Sequence, residues 1–149
     1  MAAGEPCPVS TVDERVAWDR IGIFGGFGIG RGPAYPGLGR DAHLETTAQP
    51  RHPGWFASKV FWYVRPRYRG PVLVRGRRLD EQGPLGFAHE GEPSSELRLG
   101  RHDTVLWDGR PRGSRGEPTG MRVRGSGCYG AQIDGTNFSR AIVFTVSTE

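Results

Sequence analysis

The chain has 149 residues, a formal net charge of +4, 24 glycines and 12 prolines, with one lysine against nineteen arginines. Glycine and proline together fill about a quarter of the positions, which leaves no room for the long helices of a bundle. The glycines have no period of three, so collagen is excluded, and no apolar run approaches the ~18 residues of a membrane span.

Residues 1–58 are dominated by breakers. Val12 to Arg20 suits one or two helical turns, and short strands are expected near 20–25 and 33–38. The remainder of 1–58 reads as an irregular loop lying over the core, either mobile in part or packing its Phe and Ile side chains as a lid. From residue 59 the pattern turns strand-like. Val60-Phe61-Trp62-Tyr63-Val64 is a continuous run of β-branched and aromatic residues ended by Pro66, as expected of a strand buried on both faces. Pro71 to Gly76 alternates. Weaker candidates follow at Leu85 to His89 and Glu96 to Leu99, then Thr104 to Trp107, which ends at the turn pair Asp108-Gly109. Met121 to Arg124, Cys128 to Ile133 and Phe138 to Val146 complete the set, the last placing Ile142, Phe144 and Val146 on one face. Seven or eight short strands at this spacing predict an all-β, antiparallel β-sandwich over 59–149, with a small barrel as the alternative and a single domain overall.

Few motifs carry chemistry. Gly125-Ser126-Gly127-Cys128-Tyr129-Gly130 fits G-x-G-x-x-G, but it leads into an alternating strand pattern and not a helix, so the phosphate site of a dinucleotide fold is missing. Lys59 follows Ser58, which rules out a P-loop, and no cofactor is implied. His43, His52, His89 and His102 are scattered in polar contexts and read as exposed side chains. Glu90 and Glu92 lie among Gly, Pro and Ser, as in a solvated loop. Asn137-Phe138-Ser139 is a formal glycosylation acceptor that a hairpin turn explains equally well. Cys7 and Cys128 lack metal-ligand spacing. They are two buried thiols or one bridge closing a loop of about 120 residues, and Cys128 as a catalytic thiol is the lesser alternative.

The strongest constellation is the stretch 59–78. It carries Lys59, Arg65, Arg67, Arg69, Arg75, Arg77 and Arg78 without an acidic residue, interleaved with Phe61, Trp62, Tyr63 and Tyr68. Arginine beside aromatics on a sheet is how anionic polymers, single-stranded nucleic acid among them, are held. In an extended segment Arg65, Arg67 and Arg69 would project to one side. The competing reading makes Phe61, Trp62 and Tyr63 core and the arginines a solvated edge. Asp80, Glu81, Glu90, Glu92 and Glu96 follow and are available to neutralise them.

Several segments resemble a group of uncharacterised secreted or lipoprotein-type bacterial proteins, mostly from high-GC Gram-positive organisms. They are Cys7-Pro8-Val9, Gly30 to Pro36, Lys59 to Trp62, Arg65 to Asp80, Gly127-Cys128-Tyr129, Gln132 to Gly135 and Phe138 to Phe144. The resemblance implies an exported, immunoglobulin-like β-sandwich with no catalytic residues to carry over. In such proteins an export signal precedes the Cys-Pro-Val segment, which this chain does not show. Both cysteines fall on matched segments, so the resemblance raises a Cys7–Cys128 bridge over the alternatives. Three functions follow as expectations. The first is a non-enzymatic exported domain, structural or interacting with a cell-envelope component, and therefore extracellular or envelope-associated. The second is a module binding an anionic polymer, cell-wall polymer or nucleic acid, through Arg65, Arg67, Tyr68, Arg69, Arg75, Arg77 and Arg78. The third is a small enzyme built on a His paired with Asp103 or Asp134. A cytoplasmic location is the alternative to export.

Overall fold

The computed structural model describes residues 1, 4–23, 25–88, 90–100 and 111–149. One short helix and ten strands follow in order: α1 (Trp18–Ile21), β1 (Phe27–Gly28), β2 (Ala34–Leu38), β3 (His43–Ala48), β4 (Phe56–Val64), β5 (Val72–Arg78), β6 (Leu85–Ala88), β7 (Glu96–Leu99), β8 (Arg115–Val123), β9 (Gly127–Asp134) and β10 (Ser139–Thr148). The all-β sandwich expected from the strand spacing is the observed class. One layer sets β4 between β8, which β6 extends, and β2, which β1 extends. The other runs β3-β10-β9-β5-β7. The expected strand over Thr104 to Trp107 lies outside the described residues.

Strand β3 joins the two layers. Its first half pairs with β10 (Thr145 to Thr148 against His43 to Thr46), and its last two residues pair with Phe56 and Ala57 of β4. The β3–β10 pair is parallel, the one departure from antiparallel order among the described pairs. On the same flank, the chain after Cys7 fills the place that β3 leaves open. Ser10 exchanges hydrogen bonds with Val143 of β10, and Val12 bridges to Ile29, so residues 9–13 tie one layer to the other.

Strand β4 is buried on both faces from Val60 to Val64, as its unbroken apolar run implies. Alternation puts Val60, Trp62 and Val64 on the opposite side from Phe61 and Tyr63. All five belong to one contiguous core with Val72, Val74, Tyr129, Ile133, Ile142, Phe144 and Val146. The second face of β4 is covered by the N-terminal region. Tyr35 of β2 lies opposite Tyr63, and the Trp18 indole meets both rings edge-on, at centroid distances of 4.9 and 5.9 Å. Trp18 packs so closely on Gly28 that a side chain at position 28 would overlap the indole.

Residues 1–58 are more regular than their composition suggests, supplying α1, β1, β2, β3 and the start of β4. The helical turn overlaps the end of the expected 12–20 region and runs one residue past it, and β2 stands where a strand at 33–38 is expected. Among the described residues, no strand stands where one is expected near 20–25. Gly22 caps α1 with φ of 67° and Gly25 turns at φ of 72°, leaving only an isolated Ile23–Gly26 bridge. Besides the two-residue β1, strand β3 is unexpected. Its buried positions are Leu44 and Thr46, and a buried Thr hides the period-two apolar signal. The Thr46 hydroxyl is satisfied by donating to the Ser147 carbonyl at 2.8 Å.

Cys7 and Cys128 form a disulfide, with Cα atoms 5.5 Å apart across 121 positions of sequence. It fastens the start of the N-terminal segment to β9, as the resemblance implied.

Candidate anion-binding site

The basic stretch 59–78 does not form one face. It runs from β4 in one layer through a turn at 65–71 to β5 in the other, and its side chains part company there. Tyr68, expected to help bind a polymer, is 6% exposed and serves as a corner post. Its hydroxyl donates to the Pro71 carbonyl at 2.6 Å and accepts from the Thr136 N–H at 3.0 Å, and its ring meets Phe138 edge-on. Arg78 is also structural. Its Nε donates to Asp80 at 2.8 Å, its Nη1 lies 3.1 Å from Glu81, and the same Asp80 oxygen accepts from the Cys128 N–H. The guanidinium beside it holds the Asp80 carboxyl below the usual carboxylate range. Arg75 pairs with Asp134 at 3.5 Å. Neutralisation by the acids that follow the stretch therefore holds for Arg78, through Asp80 and Glu81, whereas Arg75 is met by Asp134, an acid outside that set. Arg77 is exposed on the same strand and has no acidic partner among the described residues.

Arg65, Arg67 and Arg69 lie in a turn, so the period-two argument for a common side fails. Arg67 and Arg69 are exposed with no acidic partner among the described residues, while Arg65 is half-buried near the Tyr35 hydroxyl. What the fold adds is a set of arginines from elsewhere in the chain. Arg15, Arg20, Arg65 and Arg67 line a depression of about 520 Å³ beside α1. Arg15 and Arg67 also line the next one, of about 580 Å³, with Arg31 and Arg140. Arg31 and Arg140 continue into a third, of about 510 Å³, alongside Ser10 and Ser139. The shared walls make one groove with six arginines drawn from the N-terminal segment, the 30–32 loop, the 65–71 turn and β10.

A buried carboxylate organises the centre of this groove. Asp13 accepts from Arg15 through Nε at 2.8 Å and Nη2 at 2.7 Å, and from the Tyr35 hydroxyl at 2.6 Å. These donors hold its carboxyl far below the usual range, with Arg15 the largest cause, while burial and then Asp13 push the Tyr35 phenol up to about 12. Asp13 is therefore a fixed anion already engaged by its donors. Arg15 Nη2 also donates to the Arg31 carbonyl at 3.0 Å, and Arg140 Nε donates to the Gly32 carbonyl at 2.9 Å. Two guanidiniums are thus held by carbonyls of consecutive residues. The other acid lining the central depression, Glu14, is paired with Arg40 at 2.6 Å. Arg31, Arg67 and Arg140 have no acidic partner among the described residues.

Sequence reasoning found Arg65 and Arg67 of these six and missed Arg15, Arg20, Arg31 and Arg140. No local signal marks the four, because they are dispersed over 126 positions and converge only in the folded chain.

The remaining candidates do not assemble. His43 places Nδ1 2.6 Å from the Thr145 hydroxyl and Nε2 2.9 Å from that of Ser147, with no carboxylate on either nitrogen. Asp134 is engaged by Ser139, Gln132 and Arg75, so it forms no pair with His43. His89, His102 and Asp103 lie outside the described residues. Among the described residues no three His, Cys, Asp or Glu side chains are placed to share a metal ion, and no helix is long and apolar enough to cross a membrane.

No family model and no curated protein matches the chain. Among solved structures, it is similar to the CooA pilin subunit from enterotoxigenic Escherichia coli. That match has 10% identity and a TM-score of 0.39, covering 78% of this chain and 98% of that one. It is also similar to the N-terminal domain of PorA, at 13% identity and a TM-score of 0.38, covering 78% and 97% respectively.

Proposed function

We propose that the protein is an exported, non-enzymatic domain that acts at the cell envelope by binding an anionic partner along the arginine groove. The observation that carries this reading is the set Arg31, Arg67 and Arg140, which share one depression and have no acidic partner among the described residues. With Arg15 they outnumber the two acids that line the same depression, Asp13 and Glu14, and that excess of positive charge draws an anion. Export is supported by the Cys7–Cys128 disulfide, since such bonds persist in oxidising compartments. Binding in preference to catalysis is supported by the buried acid of the groove. Asp13 is held ionised by its donors, so it is not poised to move a proton near neutral pH.

The test is retention of the intact, oxidised protein on immobilised heparin at low ionic strength. Retention is expected, with elution as salt rises through about 0.05–0.2 M, because charge-driven binding weakens steeply over that range. Passage through the column at the lowest salt contradicts the reading.

A further inference from the structure

We infer that the central depression of the groove, between the 30–32 loop and β10, seats a phosphoryl group, so that the partner is a phosphate-bearing chain recognised by its phosphates; this rests on the groove binding anions at all. Arg15 and Arg140 enter this depression with their planes fixed by the Arg31 and Gly32 carbonyls. Arg15 commits Nε and Nη2, and Arg140 commits Nε and Nη1, the latter to the Ser139 carbonyl at 3.3 Å. Arg15 Nη1 and Arg140 Nη2 make no hydrogen bond among the described residues. Fixed planar donors suit a tetrahedral oxyanion with several acceptor oxygens, and little conformational freedom is lost when they engage it. The exposed Arg31 and Arg67 supply further positive charge to the same depression. A phosphoryl group within a chain carries one full negative charge and sets its non-bridging oxygens tetrahedrally, so it can meet donors arriving from two directions better than a planar carboxylate.

The rings near the groove argue against reading bases. Trp18, Tyr35 and Tyr63 are 4%, 0% and 1% exposed, so none offers a free face for a nucleobase to stack on. Among the described residues the groove therefore has charge to recognise a backbone and no platform to recognise its bases.

The experiment compares sodium polyphosphate with polyglutamate of matched charge and length, using the full oxidised chain at fixed ionic strength. Polyphosphate is expected to bind about tenfold or more tightly, the scale of one additional charge-assisted hydrogen bond or two. Inorganic phosphate should displace it better than acetate at equal ionic strength. R140Q should erase the preference, R140K should keep binding while losing the preference, and R98Q, on β7 outside the groove, should keep both. Thermal melts of each variant confirm that the fold is intact. Equal binding of the two polymers, with no competition by phosphate, overturns the phosphoryl site and leaves the broader anion-binding reading standing. Failure of both polymers to bind overturns both. Binding of oligothymidylate much tighter than of an abasic oligonucleotide of the same length also overturns the inference, because it requires a base platform.

Discussion

Strand β5 and the groove hold the same kind of side chain under different conditions. On β5, Arg78 is closed off by Asp80 and Glu81 beside the disulfide strand, and Arg75 is met by Asp134. In the groove, Arg31, Arg67 and Arg140 have no acidic partner among the described residues, because Asp13 is taken up by Arg15 and Tyr35 and Glu14 by Arg40. Density of arginine along the chain is thus a poor guide to density of positive charge in space. The stretch 59–78 holds six of the nineteen arginines, yet the groove takes only Arg65 and Arg67 from it. Arginines with nearby acids hold the fold together, and those left without acids are available to a partner.

The comparison breaks most severely if the wall common to groove and core is removed. Trp18→Ala strips the cover from Tyr35 and Tyr63 and should cost about 3–5 kcal/mol, read from denaturant midpoints. It should lower anion binding as well, because α1 and the 30–32 loop lose their seat. Reduction of Cys7–Cys128 frees the 9–13 segment that ties the layers together. A loss of about 2–5 kcal/mol is expected, measured as the melting shift with reductant in the wild type against the C7S/C128S double variant, which should not respond.

Asp13→Asn removes the charge that fixes Arg15 and should cost about 1.5–3 kcal/mol. Its pH signature is more specific. A carboxyl whose folded pKa is depressed contributes stability that is present above the unfolded value of about 3.9 and is lost as pH falls through the folded value. Asp80 and Asp134 are shifted in the same direction. Wild type should therefore lose stability below about pH 4, and the Asn variant should show a shallower acid limb. Tyr35 acts at the other end. With its folded pKa raised to about 12, it contributes stability that is lost as pH rises from about 10 toward 12.

The smallest expected effects sharpen the comparison most. Arg78→Gln should cost about 1 kcal/mol, because it leaves Asp80 without its main donor in a half-buried setting, and should leave anion binding unchanged. Arg67→Gln should change stability by no more than about 0.5 kcal/mol, as expected of an exposed residue, while weakening binding. Reversal of that pattern would mean that Arg78 and not Arg67 faces the partner.

Much of the fold is legible in the sequence. The doubly buried run of β4, the alternation of β10 and the turn at 134–137 are written in local residue order. Strand β3 is not, because Thr46 occupies a buried position whose polarity is cancelled by a hydrogen bond from another part of the chain. Nor is the difference between a turn and a strand at 65–71, where alternation of Arg and Pro or Tyr mimics a strand. The site is less legible than the fold. Tyr68 resembles a binding aromatic until its hydroxyl is seen between Pro71 and Thr136, and Arg78 resembles a free cation until Asp80 meets it. Arg31 and Arg140 carry no local mark at all, since their role depends on the fold bringing the 30–32 loop against β10.

The central claim is that position, and not total charge, determines anion binding. The direct measurement compares two triple variants of equal net charge, R31Q/R67Q/R140Q and R75Q/R77Q/R98Q, for polyphosphate affinity at one fixed low ionic strength. The groove triple should lose nearly all binding and the β5–β7 triple should stay close to wild type. Equal losses in both would show that binding follows net charge alone and would contradict the account.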